Sequence, residues 1–350
     1  MLILYLFFVV LLFIPFPTFE KSDSKAYVRY LDRDNTLSIK GFFVILVFFR
    51  HFRQYIELSS SFADKAFAVI DNYSGQLIVT LFLFYSGFGI YYSIENKKDY
   101  LKCFLKNRFL PVWIDFAVCV AFFLFYDLIA GIKYDLATIL LAFTGWTSIG
   151  NSTWFMFVTF VLYLLVCLVF SNPWVTYRRK HGWITLLLFT VVVVLFACVL
   201  FVTKTSVWYN TLLCFPLGMW YGFFKEKIDR QLMKRYGVFL TGSFLFFLLS
   251  FLISLKFSAF YCICSCMCFC ILVVIISVRI RFRSPVFSFF GKHVFSIYIL
   301  QRLCFLILQD YFSNVYFYFV ISFIATVAIA LIFDACSTKI KKRIIYDHRR

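Results

Sequence analysis

The sequence predicts an all-α protein: a polytopic transmembrane helical bundle of ten core helices, preceded by one short N-terminal apolar helix. Three observations predict it. Of 350 residues, 63% are hydrophobic and only 15% charged, too little charge for a water-facing exterior of this size. The apolar residues fall into runs suited to a hydrocarbon core about 30 Å thick. The segments between them alternate strictly between strongly basic and nearly neutral, as a positive-inside arrangement requires. The net charge of +18 is therefore read as a topology signal, and no nucleic-acid partner is expected.

The first apolar run, 1–16, lacks a basic n-region and a small-residue cleavage site, so it is read as an extra helix with an outside N-terminus rather than a cleaved signal. Ten core spans follow near 39–56, 76–94, 109–131, 153–171, 183–202, 207–224, 236–255, 257–278, 286–309 and 315–336. The cytoplasmic segments carry Lys21, Lys25, Arg29 and Arg33; Lys97, Lys98, Lys102, Lys106 and Arg108; Arg178, Arg179 and Lys180; Lys225 through Arg235; Arg279 through Lys292; and the tail from Lys339. The opposite segments hold only Lys65, Lys133, Lys204 and Lys256. Both ends of the core are then cytoplasmic. The division is 1–32 (apolar helix and basic linker), 33–336 (transmembrane domain) and 337–350 (basic cytoplasmic tail, suited to anionic lipid).

Two features tempt and are set aside. Cys262, Cys264, Cys266, Cys268 and Cys270 lack zinc-site spacing and read as small apolar filler, so no metal is expected. His181 and His348 sit in basic segments and read as solvated or headgroup-facing.

Charges inside the spans need another explanation, because an ionisable group within a bilayer is costly. Lys40 and His51 are eleven residues apart, almost three turns, which puts both on one helix face about 16 Å apart along the axis. Val44, Val47 and Gln54 share that stripe, whereas Arg50 points about 100° away. Asp115 lies one turn into the third core span and needs a cation; Lys40 and Arg108 are at similar depth. The ninth core span carries Ser296, Tyr298, Gln301 and Arg302. A polar interior thus runs from a basic mouth to a His/Arg cluster. An anionic donor can enter at Lys40 and Arg108. An imidazole can take a proton from an attacking hydroxyl, with Arg50, Arg53, Arg302 or Gln301 holding acceptor or stabilising charge.

At these residues the chain resembles the integral-membrane acyltransferase 3 family, which includes bacterial polysaccharide O-acetyltransferases. The resemblance spans residues 33–336 and rests on blocks in order: Arg33 through His51, Leu83-Phe84-Tyr85-Ser86-Gly87-Phe88, Phe104 through Pro111, Thr153-Trp154-Phe155 with Tyr163, Phe215-Pro216-Leu217-Gly218, and Gly291-Lys292 through Leu300. It implies transfer of an acyl group, usually acetyl, from cytosolic acetyl-CoA as co-substrate to a hydroxyl of a surface or capsular glycan or its lipid-linked precursor. It implies no permanently bound cofactor and a multi-pass place in the bacterial cytoplasmic membrane. Membrane lipids are expected partners, and self-association or a biosynthetic partner is left open. By position, His51 is the catalytic residue, as a base or as a group that is itself acylated, Lys40 and Arg108 bind donor, and Ser86, Trp154, Ser296 and Tyr298 line the site. Lys40 stands where Arg is common, Gln301 where many members have His, and Val294 replaces a frequent Ser. The alternative reading is a transporter or flippase for a polysaccharide precursor, which explains the polar interior but not the order of blocks.

Overall fold

The computed structural model describes residues 1–12, 18–19, 30–171, 182–256 and 259–343. His181, His348 and the basic clusters at 21–29 and 178–180 lie outside the described residues. Helix α1 is Leu2–Leu12. At 11 residues it is about 16 Å long, shorter than the run expected over 1–16 and than a hydrocarbon core. Tyr5 anchors it on Phe49 and Phe67, with ring centroids 5.3 and 5.8 Å apart.

Helix α2, Arg33–Phe52, starts where Asp32 caps the backbone N–H of Asn35, satisfying a donor that the helix cannot. A 3₁₀ turn, Arg53–Tyr55, ends it. Next come α3, Phe62–Ser74, and α4, Leu77–Asn96. Helix α3 falls in a segment read as a loop; its local signal is Ser61 capping Asp64 N. A π turn, Leu105–Phe109, leads into α5, Leu110–Ile129, with Pro111 at its start. Proline is suited there because the first N–H groups have no intrahelical partner. The short α6, Leu136–Thr144, precedes α7, Trp154–Phe170, and α8, Gly182–Thr203. Then follow α9, Cys214–Ser254, α10, Ala259–Arg279, α11, Pro285–Lys292, α12, Val294–Leu308, and α13, Val315–Lys341. A two-residue antiparallel pair joins Thr18–Phe19 to Ile280–Arg281.

Seven helices among the described residues are long and apolar enough to cross a membrane, eight if α11 and α12, bent by 77°, form one span. The short apolar α7 matches the expected span 153–171. The spans expected at 207–224 and 236–255 are joined in the 41-residue α9, whose backbone leaves helical geometry at Arg235 (φ −140°, ψ 40°). The charged connection between them is helical because Lys, Glu, Arg, Gln, Leu and Met are strong helix formers. Lys225 also pairs with Asp229 one turn on, at 2.5 Å. Tyr30 donates to that same Asp229 at 2.8 Å and meets Tyr221 at 2.7 Å. Burial and then Tyr221 and Asp229 push the Tyr30 phenol far above its ordinary range.

Two backbone-to-backbone crossings set the bundle. A Cβ on Gly41 of α2 would lie 1.7 Å from the carbonyl oxygen of Phe287 in α11, and one on Gly291 would lie 2.0 Å from that of Leu37. Ser38 and Ser288 hydrogen-bond at 2.7 Å beside this crossing. In the second, a Cβ on Gly87 of α4 would lie 2.0 Å from Phe215 O, and one on Gly218 of α9 2.1 Å from Phe84 O. Within a membrane, small residues let helices approach because apolar burial alone does not drive them together.

Candidate functional site

The α2–α11 and α2–α4 packing leaves a cavity of about 540 Å³ along one stripe of α2, from Arg33 through Thr36, Lys40 and Val44 to Val47. That stripe spans about 21 Å. Arg33, Lys40 and Arg108 line its basic end. None of the three pairs with a carboxylate among the described residues, and Arg108 Nε donates to the Tyr100 hydroxyl at 3.1 Å. Three uncompensated cations converging on one mouth fit an anionic, phosphate-bearing group. Midway, Ser86 lines the wall and meets the Tyr163 hydroxyl at 3.2 Å.

At the far end stand Val47, Phe155 and Tyr298. His51 is the next member of the α2 stripe, one turn beyond Val47, about 6 Å along the axis. It is buried, with its ring 5.9 Å from that of Tyr298. Phe155 packs edge-on against Tyr298 at 5.6 Å. His51 Nδ1 lies 2.8 Å from Nε2 of the fully buried Gln301. The residues Asn151, Ser152 and Thr153 are buried in the connection ahead of α7. That connection is clamped by Lys204, whose Nζ sits 3.6 Å from the Trp146 ring centroid, 4.4 Å from that of Trp208, and 3.1 Å from Trp146 O.

Several sequence expectations need correction. Arg50 and Arg53, expected to hold acceptor or intermediate, are engaged by Asp71 of α3 at 2.6 and 2.8 Å. The unforeseen helix supplies a buried carboxylate that both guanidinium groups satisfy. Arg302, one turn beyond Tyr298 on the same face of α12, donates to Gln54 at 2.5 Å and does not line the cavity. Ser296 does not line the cavity: its hydroxyl donates to Asp334. Trp154 is also off the wall, which its neighbour Phe155 joins instead. The counter-charge of Asp115 is neither Lys40 nor Arg108 but Lys341, at 2.7 Å, with Ser337 donating to the other carboxylate oxygen.

One cluster was not anticipated. His293 sits at the bend between α11 and α12, and its Nδ1 lies 2.5 Å from the Asp334 carboxylate that Ser296 also binds. The available signal was a histidine following the Gly291-Lys292 pair. Among the described residues no group of His, Cys, Asp or Glu is arranged to hold a metal ion.

No curated protein and no solved structure matches the chain. The profile of the acyltransferase 3 family, described as an acyltransferase domain, matches residues 30–335, almost the whole helical bundle that carries the cavity. The chain therefore belongs to the acyltransferase 3 family and is a multi-pass membrane acyltransferase.

Proposed function

We propose that the protein transfers a short acyl group, acetyl by preference, from cytosolic acyl-CoA to a hydroxyl of a cell-envelope or capsular polysaccharide or its lipid-linked precursor. The observation that carries this reading is the cavity itself. It opens among Arg33, Lys40 and Arg108 and closes one turn short of a buried histidine. The cations hold the phosphates of the donor, and the apolar stripe Val44–Val47 accommodates its uncharged arm. The thioester then reaches the Tyr298 end, where the acceptor meets it from the opposite side.

In the chemical step the acceptor hydroxyl gives its proton to His51 as its oxygen bonds to the thioester carbonyl carbon. The tetrahedral intermediate collapses, the C–S bond breaks, and His51 returns the proton to the departing thiolate. No cofactor is consumed and no redox change occurs. The positive-inside pattern supports a basic face and C-terminus in the cytoplasm, and the family supports a bacterial inner membrane.

The test is NMR of surface glycan from cells with the intact protein, without it, and with His51→Ala. Loss of O-acyl signals in the deletion and in a folded, inserted His51→Ala protein is expected. Retained acylation in that variant overturns the catalytic assignment. Unmodified glycan in every strain, reduced in amount without the protein, would replace the transferase reading with glycan export.

A further inference from the structure

Gln301 is fully buried, and its amide is the group that touches the histidine. Its Nε2 lies 2.8 Å from His51 Nδ1 and 3.1 Å from the backbone carbonyl oxygen of Tyr298. A carbonyl oxygen only accepts, so the amide atom against it is the NH₂. The second proton of that NH₂ is then donated to His51 Nδ1, which must offer a lone pair. A neutral imidazole carries one proton, so here it sits on Nε2. Nε2 is also the nitrogen left for a substrate. In this form it donates a hydrogen bond and cannot take a proton. Gln301 Oε1 meanwhile is buried without a hydrogen-bond partner, an unfavourable state for an acceptor.

We infer that Gln301 is a positioning residue that sets the tautomer of His51, holding it base-incompetent at rest and base-competent once the amide turns over. This rests on His51 acting as the base in acyl transfer. After the turn, Oε1 accepts from Nδ1–H and Nε2 presents its lone pair. The exchange removes one proton from Nε2 and places one on Nδ1, with no net change in charge. The acceptor proton then goes to Nε2, the O–C bond forms as C–S breaks, and the same proton passes to the thiolate. Oε1 holds Nδ1–H throughout and steadies the transient imidazolium. The turn gives up the bond to the Tyr298 carbonyl, which is why the donor orientation is the resting one. The charged groups nearest the ring are Arg302, held by Gln54, and Arg50, held by Asp71. The Tyr298 phenol completes its surroundings.

The experiment is ¹⁵N NMR of the full chain labelled at histidine, with His51 assigned by its loss in His51→Ala, alongside kinetics of two variants. The wild type is expected to show the Nε2–H form. When ionised, the carboxylate of Gln301→Glu presents only acceptor oxygens, so it should switch His51 to Nδ1–H and keep kcat within about threefold. Gln301→Met lacks both functions and should lower kcat about tenfold with donor KM unchanged. A wild-type Nδ1–H signal overturns the inference. So does an unchanged tautomer in Gln301→Glu, or equal losses of kcat in the two variants. If Gln301→Glu does not fold, a wild-type Nε2–H signal that gives way to a mixture in Gln301→Met supports the inference, and an unaltered signal overturns it. Tautomers that behave as expected in a protein that transfers no acyl group would defeat the reaction assigned above while leaving the hydrogen-bond control in place.

Discussion

Gly41 meets the carbonyl oxygen of Phe287 so closely that a methyl group at position 41 would lie 1.7 Å from it. The contact locks α2, which carries Lys40 and His51, to α11, which leads into the helix of Tyr298 and Gln301. Gly41→Val should therefore abolish the folded, monodisperse protein, measured by size exclusion in detergent. Gly242→Ala, where nothing lies within 4 Å of the added carbon, should be neutral or stabilise by up to about 1 kcal/mol.

Arg50 and Arg53 share one buried carboxylate, Asp71. Asp71→Ala should cost about 1–3 kcal/mol, since it strands two half-buried cations. Arg50→Gln should lower the melting temperature yet leave turnover per folded molecule within about threefold, because the side chain is committed to α3 rather than to substrate. A loss of turnover without a loss of stability would return Arg50 to the chemistry.

Lys40 offers a point charge to the cavity mouth with no carboxylate among the described residues to compensate it. Lys40→Ala should raise donor KM about tenfold with a smaller effect on kcat. Lys40→Arg should be mild, because charge is kept and a forked donor added. Initial rates against acyl-CoA concentration in membrane vesicles separate these outcomes.

Lys204 stacks on Trp146 and Trp208 and bonds the Trp146 carbonyl. Lys204→Ala should destabilise the protein by about 1–2 kcal/mol through loss of that clamp. Tryptophan fluorescence during thermal unfolding reads the loss directly.

The all-α polytopic bundle, the Lys40–His51 stripe and the blocks around Ser86, Arg108 and Tyr298 were legible because each follows from periodicity, charge alternation or a local motif. Their partners were not. Nothing local to Arg50 indicates that the next helix brings Asp71 beside it, and Asp115 finds Lys341 from the far end of the chain. Residues one or two positions apart on a helix also face apart, so a block that names Trp154 delivers Phe155 to the wall. Gly41, Gly87, Gly218 and Gly291 belong to segments read for their chemistry, yet their structural contribution is to let backbones touch. His293 went unread because a histidine at a bend gives no periodic signal.

The pairing of Asp115 with Lys341 has a bearing on how the molecule is made. The two are 226 residues apart, so the carboxylate on α5 is synthesised long before its cation. During insertion α5 must sit in or beside the membrane with that group unanswered, sheltered by water, lipid headgroups or insertion machinery. Only when the final turn of α13 docks is the charge matched. A helix made much later thus completes the third core span, and this part of the assembly is a closure of early and late segments rather than a simple N-to-C accretion.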